Sequence, residues 1–284
     1  MRFRRTPAVF VLLAAAAAAA QPPAAQPGKE ELTGNAQKAA EFAAAEVLRY
    51  DIRHTGKDGP PLKLVAQPVL RWSNPTNGEV YGSVYLWTNN GVPEAAASAY
   101  QFFNRKQINV ELVSFSEAPL TANRNGKVRW TPESGLKFEP LPGAPDPAAA
   151  PAGRQFQMRA LARKFTGFLA DRNDESRQTE LRLMAKPLHQ YEAADGSGRE
   201  GAVFALVTTT DPEIVLLIES RKTATGREWV WAAARMHYCR LYLKLGDKTV
   251  WEVPQLAPPW DKIRGPAGSY VILEWSTAEA AAKD

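Results

Sequence analysis

Few side chains in this chain are placed to do chemistry. Three histidines, one cysteine and a scatter of carboxylates on apolar strands are the candidates. His237 and Cys239 stand two apart, which on a strand puts both on one face, as a thiol–imidazole pair requires. The same alternation runs on through Leu241, Leu243 and Leu245, so the pair reads as part of a core stripe with a satisfied imidazole. Asp51 and His54 stand three apart; at a helix end they would be neighbours, able to hydrogen-bond as base and orienter, or simply a charged helix terminus. Glu79 with Glu94, or Glu213 with Glu219, supplies paired carboxylates, but sequence spacing does not set the gap that two-carboxyl hydrolysis needs. Glu94 and Glu213 each follow a proline at a turn, which points to a structural role.

Eight tryptophans offer another chemistry, since an aromatic face among polar neighbours grips sugars and cell-wall surfaces. Trp72, Trp87, Trp130 and Trp251 read as core. Trp229 and Trp231 share a strand face, and Trp260 sits in an irregular Ala-Pro-Pro-Trp-Asp segment, so these three, with Asp51 and His54, are the candidate binding residues. No catalytic set is assigned. The chain has no G-x-S-x-G elbow, no H-E-x-x-H, no Gly-rich phosphate loop and no EF-hand loop. With one cysteine and three histidines no metal site and no cofactor are expected.

The elements that must position these residues come in two sets. A helix is expected over 36–50, with Asn35 as its cap, followed by strands at 62–72, 80–88, 94–103, 110–117 and 120–130 separated by Asn-Gly turn signals. A proline-rich stretch at 140–153 reads as a semi-rigid linker. A second helix is expected over 154–169, with Arg154, Arg159, Arg163 and Lys164 on a solvated basic side. Strands follow at 180–191, 202–209, 214–221, 228–245 and 249–253. The 228–245 run is too long for a straight strand and should bend near Ala232–Ala234.

Sliding the chain by 119 positions superposes LKLVAQP at Leu62 on LRLMAKP at Leu181, with eight identities in the 33 aligned positions of 62–94. Average usage would give about two. The halves therefore read as an internal duplication. The expected fold is α+β, two tandem modules at 35–139 and 154–275, each a helix on a curved antiparallel sheet; the alternative is an all-β sandwich or barrel carrying two helices. Residue types kept in both copies, such as Gly82 with Gly201, answer to the fold. An activity belongs where the copies differ.

At the N-terminus, Arg2, Arg4 and Arg5 precede an apolar run from Ala8 to Ala20, the pattern of a signal peptide cut near Ala20. A spacer at 21–34 follows, and 276–284 reads as a tail. The leader carries three of the formal +5 charges, so the mature chain is near +2 and a nucleic-acid partner is not expected. The run is too short for a stable transmembrane anchor. The lone Cys239 means no internal disulfide in the periplasm or outside the cell.

The tracts LRWSNPTNGEVYGSVYLWTNNG, QMRALARKFTGFLADRNDESRQTELRLMAKPLHQY and DPEIVLLIESR resemble those of uncharacterised exported proteins from planctomycete-type bacteria. That resemblance implies export and carries no activity, cofactor or site residue. Two functions follow as expectations. The first is a non-catalytic exported protein binding a small ligand, a glycan or an envelope protein. The second is an extracytoplasmic hydrolase with an unadvertised carboxylate or histidine site, which becomes the better reading if a pocket holds two carboxylates of perturbed protonation.

Overall fold

The computed structural model describes residues 34–56 and 59–276. The expected leader, nearly all of the spacer and the tail beyond Ser276 lie outside the described residues. The first half runs α1 (Gly34–Val47), β1 (Tyr50–His54), β2 (Lys63–Leu64), β3 (Leu70–Ser73), β4 (Val80–Asn89), β5 (Val92–Phe102), β6 (Gln107–Ser114), β7 (Leu120–Arg124), β8 (Lys127–Trp130) and the short β9 (Glu139–Pro140). The second runs α2 (Pro151–Ala162), β10 (Phe165–Ala170), β11 (Gln178–Leu183), β12 (His189–Glu192), β13 (Glu200–Thr208), β14 (Asp211–Thr223), β15 (Gly226–Arg235), β16 (Leu241–Leu245) and β17 (Lys248–Val253). After it come α3 (Asp261–Arg264) and β18 (Tyr270–Ser276).

Every pairing is antiparallel, and the two halves follow one plan. The meander β4–β5–β6 corresponds to β13–β14–β15. β2 and β3 share the outer edge of β4 as β11 and β12 share that of β13. β1–β7–β8 corresponds to β10–β16–β17. In the second half the β10–β11 pairing joins these into one sheet curled as half a barrel. The described chain is mostly strand, which fits the all-β alternative and does not conflict with the α+β reading.

α1 lies on β4 and β5, and α2 on β13 and β14. Ala39 and Ala43, both buried, put only a methyl between α1 and its sheet. The other face of each sheet packs on the other half: Val84, Leu86 and Ala96 share a core with Val203, Val215 and Leu217. The layers thus run helix, sheet, sheet, helix. A strand covered on both sides needs apolar residues throughout, which is why β4 and β14 read as near-continuous apolar runs without alternation. A buried ion pair ties each helix down, Arg124 to Glu46 and Arg154 to Glu200, both at 2.6 Å. Arg154 is therefore buried, and not on a solvated basic face.

The halves also exchange strands. β9 leaves the first half and pairs with β15, and the adjoining Leu141 is buried, its N–H donating to the Trp229 carbonyl at 2.9 Å. The stretch expected to be a linker therefore begins packed into the second half's edge. Reciprocally, β18 pairs along its whole length with β6. The sheet of the first half is completed from residues 270–276, which the sequence grouping puts almost wholly in the second module.

Several element boundaries differ from expectation: the runs at 62–72, 120–130 and 180–191 are each split into two strands, and α2 starts at Pro151, inside the stretch expected to be a linker. Both helices stop early, at Val47 and Ala162; of the residues expected to finish them, Tyr50 opens β1 and 165–169 lie in β10. Phe165, Phe168 and Leu169 fit a helical stripe, but they surround Gly167, where a Cβ would meet Leu206 Cδ2 at 2.7 Å, so the backbone lies against the sheet. The 228–245 strand breaks at 236–240, not at Ala232–Ala234. Arg235 gathers that turn, donating to the carbonyls of His237, Cys239 and Pro254.

Candidate functional site

A cleft of about 1160 Å³ lies between the halves, and the carboxyls that line it include Glu111, Asp211 and Glu213. Alternation places two of them. On β6, Val110 and Leu112 face the α1 core, so Asn109, Glu111 and Val113 face the other sheet. On β14, Glu213 shares the inter-sheet face with Val215 and Leu217. Asp211 opens β14 at the end of the β13–β14 hairpin, beside a register shift at Leu206/Val207.

That hairpin is fastened to the first half. Asn74 Nδ2 donates to Asp211 Oδ2 at 3.0 Å, the Ser73 N–H donates to Thr210 Oγ1 at 2.9 Å, and the Thr209 and Thr210 hydroxyls donate to the Ser73 carbonyl at 3.0 and 2.9 Å. Thr209 takes φ 50°, a left-handed conformation unusual for a β-branched residue. Its counterpart by the 119-residue shift, Asn90, takes φ 48° with a residue type that tolerates it. Held strain of this kind gathers at functional sites.

No arginine or lysine among the described residues forms an ion pair with any of the three carboxyls. Tyr100 and Tyr270 both donate to Glu111 Oε1, at 2.9 and 3.0 Å. Burial pushes Glu111 up to about 8, reinforced by the Asp211 charge and opposed by the two hydroxyls. Burial likewise raises Asp211 to about 7 against the Asn74 hydrogen bond. Glu213 is held well above the usual carboxylate range by burial, then by Asp211; Thr208 donates to its Oε1, and its Oε2 has no hydrogen-bond partner among the described residues. Three acids thus share one site while holding protons near neutral pH.

The corresponding end of the interface is built differently. Glu219, the counterpart of Tyr100, is fully buried and receives Arg199 at 2.7 Å, Arg221 at 2.6 Å and the Tyr191 hydroxyl at 2.8 Å. Arg221 also reaches Glu117 at 3.1 Å and lies over the Phe138 ring. There the carboxylate is neutralised and capped. Glu94, the counterpart of Glu213, remains an acid, but Asp211 corresponds to Val92 and, through the strand registers, Glu111 to Ala232. The cleft is where the halves differ.

Of the residues singled out in the sequence as binding candidates, only Trp260 lies in this cleft, 38% exposed and tilted against Tyr238 with ring centroids 5.0 Å apart. Trp229 and Trp231 share a face as expected, but that face is the second half's core, where they are 4% and 5% exposed. Asp51 and His54 sit on β1, where a spacing of three turns side chains to opposite faces. Asp51 pairs with Arg53 at 2.7 Å, away from the cleft, and His54 stands opposite Leu120. His237 and Cys239 do line the cleft as a pair, with His237 Nδ1 accepting the Cys239 N–H at 3.1 Å. Burial and Arg235 lower His237 to about 3, and burial pushes the Cys239 thiol up to about 12, so neither is a nucleophile or base near neutrality.

Glu111 and Asp211 are not among the sequence candidates, and Glu213 stands there paired with Glu219 and read as a structural turn residue. The available signal is a carboxylate at an inward-facing position of an apolar strand, and an acid where the other copy has valine. No group of three or more His, Cys, Asp or Glu able to hold a metal ion occurs among the described residues. No helix among them is long and apolar enough to cross a membrane. No known family, curated protein or solved structure matches the chain.

Proposed function

We propose that this chain is an exported hydrolase that cleaves a glycan-type substrate by carboxyl acid–base chemistry, with Asp211 as base and Glu111 as acid. The observation that carries the reading is that these two carboxyls line one cleft with no cation paired to either among the described residues. Hydrogen bonding divides the roles: Asn74 donates to Asp211 and supports its anion as the base, while Glu111, raised by burial and further by the Asp211 charge, is the acid. Both tyrosines donate to Glu111 Oε1, so the proton of its neutral form belongs on Oε2. In the reaction Glu111 gives that proton to the leaving oxygen as the glycosidic C–O bond breaks. Asp211 takes a proton from the water whose oxygen bonds to the anomeric carbon. Glu213, behind them, is a positioning residue that keeps a proton and spares the site a further negative charge. Amides and hydroxyls from Asn109, Gln107, Gln178 and Thr179 suit a polyhydroxylated ligand, and Trp260 with Tyr238 gives a sugar face a shelf.

The test is reducing-end release from a panel of neutral and charged polysaccharides by purified protein. Asp211→Asn and Glu111→Gln are expected to lower the rate at least about 100-fold, the usual scale for removing an acid or base. The parent kcat/KM should be bell-shaped, with limbs near the two acids' values. Full activity in Asp211→Asn overturns the assignment. Binding without turnover across the panel returns the chain to the non-catalytic reading.

A further inference from the structure

Around the mouth of the cleft the charge reverses. Among the described residues five arginines line it and no lysine does. Arg182 donates to the Thr209 carbonyl and Arg264 is taken by Glu274, both at short range. Arg105, Arg172 and Arg177 are exposed and have no carboxylate within ion-pair distance among the described residues. Elsewhere Arg124, Arg154, Arg199 and Arg221 are each matched by a glutamate, and the buried Arg235 by three carbonyls. Asp171 accepts the N–H groups of Asn173 and Asp174 and feels the charges of Arg177 and Arg172, so it offsets part of that pair. With Glu180 and Glu274 it is still outnumbered by the five arginines of the lining.

We infer that the cleft takes an anionic polysaccharide, its carboxylate or sulfate groups held by Arg105, Arg172 and Arg177 while a sugar face rests on Trp260 and Tyr238. Arg172 lines the cleft with Tyr238 and Trp260, and Arg105 lies over the Phe102 ring at 4.8 Å. The planar guanidinium fork is the donor that matches carboxylate and sulfate oxygens two at a time. Of the floor acids, Glu111 and Glu213 retain their protons near neutral pH and add no repulsion, which leaves Asp211 as the one floor charge against the arginines of the rim. This inference rests on the cleft being the substrate site proposed above.

The test uses full-length Asp211→Asn protein, to prevent turnover, on immobilised polygalacturonate, its methyl ester, chondroitin sulfate and single-stranded DNA. Retention is expected on polygalacturonate or chondroitin sulfate, falling as salt rises, with none on the methyl ester and none on DNA. Adding Arg105→Gln, Arg172→Gln and Arg177→Gln should weaken that retention at least tenfold with the melting temperature unmoved. Equal retention on the methyl ester, tighter retention on DNA, retention unaffected by the triple change, or no retention on either anionic column overturns it. The two proposals fail separately. Anionic retention with no reducing-end release by the parent sinks the hydrolase and keeps the ligand class; release from neutral glycans alone does the reverse.

Discussion

Glu111 keeps its proton where an exposed glutamate would lose it, because burial penalises the anion more than two tyrosine hydroxyls offset. Its folded value of about 8 lies above an ordinary 4.5, so its contribution to stability is fully present below the ordinary value and is lost as pH rises through 8. Asp211, raised from 3.8 to about 7, acts in the same sense. The parent should therefore melt lower at pH 8.5 than at pH 5, and Glu111→Gln should narrow that difference, each tenfold difference in proton affinity between folded and unfolded chain being worth about 1.4 kcal/mol. Melting that is flat over this range and indifferent to the substitution would show that the acids are not buried as described. Gly201 makes the contrasting case. A Cβ there would lie 2.4 Å from the Tyr191 ring, as one on Gly82 would from the Trp72 ring, so both glycines make room for an aromatic from the next strand. Gly201→Val should cost about 1–3 kcal/mol in a thermal melt. Trp260→Ala, partly exposed, should leave melting nearly unchanged while weakening glycan binding; unfolding instead would mean the shelf is structural.

At the scale of the element, periodicity is a good guide to existence and a poor one to ends. Phe165, Phe168 and Leu169 satisfy helical spacing and also have the aromatic character of a strand, so the stripe alone does not choose; contact between Gly167 and Leu206 does. The same ambiguity moves Asp51 and His54 from a helix end to a strand, and a spacing that unites side chains on one separates them on the other. The break after β15 is legible only as excess length, since its cause is one side chain collecting three carbonyls from beyond the strand. Arg235→Ala should lower stability by about 1–3 kcal/mol or more, because the buried Cys239 carbonyl is left without a donor and the part-buried carbonyls of His237 and Pro254 lose theirs. Urea denaturation measures this, and a loss under about 1 kcal/mol would show that other bonds hold the turn.

For the whole molecule, the repeat is visible because both copies obey one pairing plan, and the site is not, because it is assembled from both. Asn74, Glu111 and Asp211 come from the loop after β3, from β6 and from the β13–β14 hairpin, and no local window contains them together. The crossing of β18 is equally hidden, since pairing with a distant edge leaves no mark on the strand itself. Removing residues 254–284 strips the edge of β6 and takes Tyr270 from Glu111. That shortened chain should lose cooperative melting as a whole, and a sharp transition near the parent's would refute the dependence of the first half on β18.

The same strand sets an order of events. Tyr270 and Glu111 touch across 159 residues of chain, so the surroundings that hold a proton on Glu111 come into being only once nearly all the described fold is in place. A contact of that span forms late. Until then β6 has an open edge and its acid sits in water, ionised like any exposed glutamate. Completion of the chain thus works as a check on the site: a partly made or partly threaded molecule has the residues of the cleft without their chemistry.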